Sequence, residues 1–179
     1  MKNSMSFIII AVLTFASINL YTQCGHAAVK APELYVSEWI NKDPGMLRDM
    51  TGKVVIIEFF QMWCPGCNNF SIPLIAQLEA KYGKHNEIRV LSVHTVFEGH
   101  NYQTPDALKD FVKEKGIRHP VGIDAYEAGS PVPITMRKYG TGGTPCITII
   151  DKKGIIRFQR LGGFDPGPVE KLIDQLLRE

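Results

Sequence analysis

Two cysteines lie where the sequence could make a thiol reactive. Cys64 and Cys67 enclose a Pro-Gly pair and follow, after Gln61-Met62-Trp63, a continuous apolar run from Val54 to Phe60 that is rich in β-branched residues. Such a run predicts a strand buried on both faces. A disulfide that closes only two intervening residues constrains the unfolded chain very little. The pair is therefore better suited to reversible redox chemistry than to stapling the fold.

A helix is predicted to begin at this pair, because apolar residues follow at three- and four-residue steps: Cys67, Phe70, Leu74 and Leu78. The first N–H groups of a helix have no intrahelical partner, and the helix dipole adds partial positive charge there. A thiolate at that position is stabilised by both effects. We therefore expect Cys64 to attack a partner's disulfide and Cys67 to resolve the mixed disulfide. Pro65 suits the first turn, where its missing N–H costs nothing.

Half of a zinc site is the structural alternative for a Cys-x-x-Cys pair. A closed zinc site needs four ligands, usually with a second Cys or His pair at matching spacing. Four further candidate ligands form no such pair: His94, His100, His119 and Cys146. Redox chemistry is therefore favoured over zinc binding. Cys146 fits a small buried hydrophobe, since strand alternation points it away from the face of the neighbouring Pro145, and a third redox sulfur is its alternative role.

The composition limits the class of protein. The 179 residues are 45% hydrophobic and 21% charged, with a net charge of +2. This is enough for one domain with a real core and too little for two sizeable ones. Lys and Arg are scattered among acidic residues, without the basic stripe of a nucleic-acid binder. We therefore expect no nucleic-acid partner.

The N-terminus predicts an export signal. Lys2 precedes an almost wholly apolar stretch, Phe7 to Leu20, which is shorter than the roughly 20 residues that a membrane-spanning helix needs. A cleavage context follows, so we assign residues 1–27 to a signal peptide and the protein to the periplasm or another extracytoplasmic compartment. An uncleaved anchor is the alternative. Acylation at Cys24 is disfavoured, because the residues before it lack the Leu and small side chains of a lipobox.

The remaining pattern predicts an α/β fold, in which a mixed central sheet lies between helices. After a leader over residues 28–53, residues 54–179 form the predicted domain. Thr104-Pro105 is typical of a helix start. Further helices are expected near 134–139 and at the C-terminus, and strands near 34–39, 54–60, 87–94, 120–123, 146–150 and 155–161.

Two motifs resemble the thioredoxin superfamily. Its active site is Trp-Cys-x-x-Cys after a buried strand, and this sequence has Phe59-Phe60-Gln61-Met62-Trp63-Cys64-Pro65-Gly66-Cys67. The family's cis-proline motif is resembled by Gly142-Gly143-Thr144-Pro145 before a late strand. The leader and the extra segment 94–123 resemble the extracytoplasmic TlpA/ResA-type branch. The resemblance implies a thioredoxin fold with an N-terminal leader and a central βα-type insertion.

The resemblance also implies which residues contact a substrate. Trp63 would provide a flat apolar rim on which a partner protein docks. A cis-Pro145 would leave the backbone at Thr144 free to pair with a bound peptide as a strand. Pro65 and Gly66, between the cysteines, complete the expected substrate-binding set. Their order is the reverse of the Gly-Pro usual in thioredoxins, and the pair lacks the His found between the cysteines of strong oxidants, which argues against a powerful oxidase.

Glu58 matches the buried acid that thioredoxins keep behind the second cysteine. The resemblance implies that desolvation raises its pKa and that it takes the proton from Cys67. A satisfied buried carboxylate without a kinetic role is the alternative. ResA-like proteins often carry an acid three residues after the second cysteine, where this chain has Phe70. A role in cytochrome c maturation is therefore not inferred.

The expected activity is that of a thiol-disulfide oxidoreductase. The Cys64–Cys67 disulfide would be its redox centre, with no other cofactor and no metal. Its partners would be the thiols and disulfides of exported proteins and a membrane electron donor that feeds it as a reductase, and we expect a monomer. One alternative is a Sco-type copper-binding protein that uses the dithiol with His94 or His100. A thiol peroxidase is the other, although peroxiredoxins carry a Thr where this chain has Gln61.

Overall fold

Six strands form one mixed sheet in a computed structural model that describes residues 29–179. The predicted signal peptide lies outside these residues. The strands are β1 (Val36–Ile40), β2 (Val54–Phe60), β3 (Ile88–His94), β4 (Val121–Asp124), β5 (Cys146–Ile150) and β6 (Ile156–Leu161). The helices are α1 (Ile72–Tyr82), α2 (Pro105–Glu114), α3 (Ile134–Tyr139) and α4 (Pro166–Arg178). Within the described range, none of the helices has the length and apolar character needed to cross a membrane.

The sheet has the order β1-β4-β3-β2-β5-β6 and places β2 near its centre. Strand β2 pairs in parallel with β3 and antiparallel with β5, and β3 pairs in parallel with β4. All seven residues of β2 are buried, because α1 and α4 cover one face of the sheet and α3 with the leader covers the other. This burial explains the continuous apolar run in the sequence. The thioredoxin-like α/β fold is as predicted.

The leader is part of the sheet. Strand β1 pairs antiparallel with β4, with Trp39 opposite Gly122. A Cβ on Gly122 would lie 2.8 Å from Val36 and 2.9 Å from the Trp39 ring, so β1 can approach this closely only because position 122 is glycine. Leu47 and Met50 are buried against the face opposite α1. The boundary at residue 54 stays a prediction.

The predicted insertion, residues 94–123, contributes α2 and most of β4. Thr104 caps α2 by accepting a hydrogen bond from the Ala107 N–H at 3.3 Å, and Pro105 follows as the sequence indicates. Leu108 and Val112 of this helix pack in one cluster with Phe60, at the end of β2. The insertion therefore buries the strand end from which the dithiol loop leaves.

The helix that follows the dithiol differs from the prediction in its first turn. Cys67–Ser71 forms a π-helical turn, and α1 begins only at Ile72. Pro73 has no N–H to donate to the preceding turn, which interrupts the regular α-helical ladder at this point. Single π turns inside α-helices are frequent at functional sites. The predicted strands shift by no more than two residues at either end.

Candidate active site

The two thiols lie at the start of the helix, one partly exposed and the other buried. The Cys67 N–H donates to Cys64 Sγ at 3.2 Å, and Cys64 Sγ lies 3.6 Å from the Thr144 carbonyl oxygen, to which its thiol donates. Pro65 and Gly66 already have helical conformation. Cys64 is half-buried and Cys67 is fully buried, with both thiols free. A partner's disulfide can therefore reach the Cys64 thiol but not the buried Cys67 thiol.

The Cys67 thiol keeps its proton unless a base removes it. Burial, together with the hydrogen bond to Cys64, holds the pKa of Cys67 far above its ordinary value. Only the thiolate is a nucleophile. Cys67 can therefore act as a nucleophile only after another group removes its proton.

Glu58 is a buried carboxyl group on the strand that leads to the dithiol. It lies on β2 on the same face as Phe60, which packs in one cluster with Cys67. Its side chain is 1% exposed; Oε2 accepts a hydrogen bond from the Ser92 hydroxyl at 2.8 Å, and Oε1 has no hydrogen-bond partner among the described residues. Burial raises its pKa to about 7. A carboxyl group with that pKa can both accept and release a proton near neutral pH.

Pro145 lies directly against the dithiol loop. The Thr144–Pro145 peptide bond is cis, and Pro145 is buried at the start of β5. A Cβ on Gly66 would lie 3.1 Å from Pro145 Cδ and 3.9 Å from Cys64 Sγ. Glycine between the cysteines therefore allows the proline ring to pack close to the reactive sulfur.

Trp63 forms one wall of the cleft at Cys64. Its side chain is 51% exposed, and its ring packs on Gly99, where a Cβ would lie 2.8 Å from the indole. The cleft has a volume of about 330 Å³, and Phe97 and Thr144 also line it. The expected neighbours Trp63, Cys64 and Thr144 therefore meet in one concave surface.

Two buried glutamines hold this wall in place, and sequence reasoning missed their role. Gln61 Oε1 accepts from Trp63 Nε1 at 2.6 Å and from Gln103 Nε2 at 3.2 Å. Gln103 Oε1 accepts from the Met62 N–H at 3.1 Å, and its Nε2 donates to the Glu98 carbonyl at 2.9 Å. Gln61 had one sequence signal, a polar residue at the end of a buried strand. Gln103 belongs to no motif.

Cys146 lies apart from the dithiol. It packs with Phe59 and Tyr139 in the cluster on the other face of the sheet, and burial raises its pKa to about 11. His94 is also buried; it lies 3.2 Å from Gln103 Oε1 through Nε2, and burial lowers its pKa to about 4. Among residues 29–179, no group of three or more His, Cys, Asp or Glu side chains could hold a metal ion. The position of Cys146 fits a packing role.

Known proteins share this architecture. The crystal structure of a thioredoxin-like superfamily protein superimposes with a TM-score of 0.81 at 41% identity, covering 85% of this chain and 98% of that one. A thiol-disulfide isomerase from Corynebacterium glutamicum gives a TM-score of 0.77 at 40% identity, covering 83% and 97%. The thiol-disulfide oxidoreductase ResA of Bacillus anthracis is 31% identical over 116 residues, which are 65% of this chain. The match spans 59% of that ResA protein's length.

The family model that matches is that of the AhpC/TSA family, over residues 28–159. This range includes the leader, the dithiol, Pro145 and most of the hairpin. Its extent agrees with a leader that is built into the sheet. The chain therefore belongs to the AhpC/TSA family and has the thioredoxin-like fold of the ResA-type thiol-disulfide oxidoreductases.

Proposed function

We propose that the protein is a thiol-disulfide oxidoreductase that works through Cys64 and Cys67. The observation that carries this proposal is the pairing of a partly exposed Cys64 thiol with a buried Cys67 whose N–H donates to it at 3.2 Å. The names of the ResA and isomerase relatives support the same activity. The cleft beside Trp63 gives a partner protein a place to dock.

The reaction begins when the Cys64 thiolate attacks a disulfide of the partner. A mixed disulfide forms and one partner sulfur leaves as a thiolate. Glu58 takes the proton of Cys67, and the Cys67 thiolate attacks Cys64 Sγ. The second partner sulfur leaves, and the Cys64–Cys67 disulfide remains. Two electrons have then passed from the protein to its partner.

The direction of electron flow is proposed to be reductive, outside the cytoplasm. The predicted export signal supports this location. The Pro65-Gly66 pair lacks the His found between the cysteines of strong oxidants. In an oxidising compartment the Cys64–Cys67 disulfide must be reduced again after each turnover, so a membrane electron donor is part of the proposal.

Trapping of mixed disulfides tests this assignment. Cys67→Ser keeps the attacking thiol and removes the resolving one, so it should accumulate covalent complexes with a disulfide-containing protein that dithiothreitol releases. Cys64→Ser should accumulate none. Cys146→Ser is the matched control, because this cysteine lies on the other face of the sheet, and it should turn over as the wild type does. Complexes that persist in Cys64→Ser would contradict the proposal.

A further inference from the structure

A chain of hydrogen bonds leads from Glu58 to the protein surface. The Ser92 hydroxyl on β3 lies 2.8 Å from Glu58 Oε2 and 2.8 Å from His119 Nε2. On the other side of the ring, His119 Nδ1 lies 3.1 Å from Glu79 Oε2 on α1. The four side chains come from β2, β3, the loop before β4, and α1.

Solvent reaches only the far end of this chain. Ser92 is fully buried, and the His119 side chain is 6% exposed. The Glu79 side chain is 28% exposed, so its carboxylate is in contact with solvent. Glu58 itself is 1% exposed. A continuous series of hydrogen-bond contacts therefore connects Glu58 to solvent, although its carboxyl group has almost no contact with solvent.

Each member has the chemistry that a proton path needs. A hydroxyl donates one hydrogen bond while it accepts another, and a neutral imidazole has one N–H and one free lone pair. Burial lowers the pKa of His119, which favours the neutral ring, and Glu79 is the charged group that faces it. With Glu58 protonated, each donor in the chain can point outward. With Glu58 ionised, the Ser92 hydroxyl can donate to Glu58 and His119 Nε2–H to Ser92, and Nδ1 then accepts from Glu79 only while that carboxyl group carries the released proton.

We propose that Ser92, His119 and Glu79 form a proton path that carries the proton of Cys67 from Glu58 to solvent. The inference rests on the proposed function, because only the resolving step delivers that proton to Glu58. The three side chains act through Glu58 and do not touch the reacting sulfurs, so they are positioning residues.

The Cys67 thiol gives its proton to the Glu58 carboxylate, and the Cys67 thiolate attacks Cys64 Sγ. The S–S bond between Cys64 and the partner breaks, and the partner's sulfur takes the electron pair. Glu58 then passes its proton to Ser92, whose own proton moves to His119 Nε2. The Nδ1 proton of His119 moves to Glu79, which releases it to water.

The test separates disulfide closure from proton release. Full-length reduced protein is mixed with dithiobis(nitrobenzoate) at about pH 8 in weak buffer with a pH indicator. Attack by Cys64 releases one thionitrobenzoate, and attack by Cys67 releases a second together with one proton that the weakly basic leaving group does not take up. In the wild type we expect the indicator to follow the second release. A Cys64→Ser variant identifies any signal from other thiols.

Ser92→Ala and His119→Gln each break the path at a buried position. We expect proton release to become about tenfold slower than the second thionitrobenzoate release. This factor is smaller than the rate enhancement that a positioned proton-transfer group usually contributes. Glu79→Gln leaves an acceptor for the His119 N–H but cannot bind the proton, so we expect a lag of at least twofold. Thr148→Val removes a fully buried hydroxyl on β5, outside the path, and should show no lag.

The outcomes distinguish the path from the function on which it rests. Proton release that keeps pace with closure in folded Ser92→Ala or His119→Gln protein would overturn the path and leave the proposed function intact. If neither variant folds, Glu79→Gln decides, and an unchanged indicator signal overturns the path. A wild type that gives no second thionitrobenzoate would overturn the proposed function and the path with it.

Discussion

Glu58, the proposed proton acceptor of Cys67, also affects the stability of the fold. Its pKa of about 7 in the folded protein exceeds the ordinary value of 4.5 because burial disfavours the charged form. The unfolded chain loses this proton first as the pH rises. The contribution of Glu58 to the free energy of unfolding is therefore fully present below about pH 4.5. It falls as the pH rises towards 7 and stays at the lower value above that pH.

Glu58→Gln should remove this pH dependence. The amide has the shape of the protonated acid, so we expect the variant to be more stable than the wild type at pH 8, by up to roughly 3 kcal/mol at about 1.4 kcal/mol per pKa unit. Near pH 4.5 the two proteins should be almost equal. Urea unfolding of the reduced proteins at both pH values measures the difference. Glu114→Gln, an exposed acid near the end of α2, serves as the control, and a constant difference for Glu58→Gln would be contrary to our account.

Gly66→Ala tests the close approach of the cis-proline. The new Cβ would lie 3.1 Å from Pro145 Cδ, so the ring or the helix start must move by a few tenths of an ångström. We expect the rate of disulfide exchange to fall several-fold. The stability change should stay within about 1 kcal/mol, because alanine favours the helical backbone at this position.

The control for this substitution is Gly163→Ala, where a Cβ would meet nothing within 4 Å. Stopped-flow exchange with a protein disulfide and urea unfolding measure the two effects. Equal exchange rates for Gly66→Ala and Gly163→Ala would show that the packing between Gly66 and Pro145 does not matter for the chemistry.

The segment between β3 and α2 fixes the wall of the cleft through Gln103. Gln103→Leu would remove its bonds to Met62, Gln61 and Glu98, and it would leave buried polar groups without partners. We expect a stability loss of about 1–3 kcal/mol. We also expect KM to rise for a protein disulfide and to change little for glutathione disulfide, because the proposed docking at Trp63 involves only the protein substrate.

Thr104→Ala is the matched control on the neighbouring residue. It removes the N-cap of α2 and should lower stability by about 1 kcal/mol without touching the glutamines. Steady-state kinetics with both substrates and urea unfolding compare the two variants. If Thr104→Ala raises KM for the protein substrate as much as Gln103→Leu does, the glutamine network has no specific role.

Elements with a clear signal in their own residues were predicted from the sequence. The apolar run of β2, the cap of α2 and the strand β5 all follow from neighbouring residues, and the structure places them within one residue of expectation. The dithiol at the strand-to-helix junction was also predictable. The π turn was not, because a helix with one widened turn keeps nearly the same apolar spacing. The proposed path from Glu58 could not be predicted either. Ser92, His119 and Glu79 belong to no sequence motif, and only the folded sheet and α1 bring them together.

The whole molecule depends on the leader. The sequence indicated a segment before the domain, but antiparallel pairing between β1 and β4 joins residues more than 80 positions apart and leaves no local signal. A chain that starts at Val54 would expose the β4 edge and the apolar surface under Leu47 and Met50. We expect it to aggregate or to lose cooperative unfolding. A chain that starts at Val29 should unfold cooperatively in urea, and a stable monomer from Val54 onward would show that the leader is dispensable.

The reduction potential of the Cys64–Cys67 pair decides whether the protein acts as a reductant or as an oxidant. The protein is equilibrated with glutathione buffers, and the fraction with the Cys64–Cys67 disulfide is read by alkylation and mass spectrometry. We expect a two-electron transition near the thioredoxin level of about −270 mV, which marks a reductant that needs an electron donor. A value near about −120 mV would mark an oxidant and contradict the proposed direction.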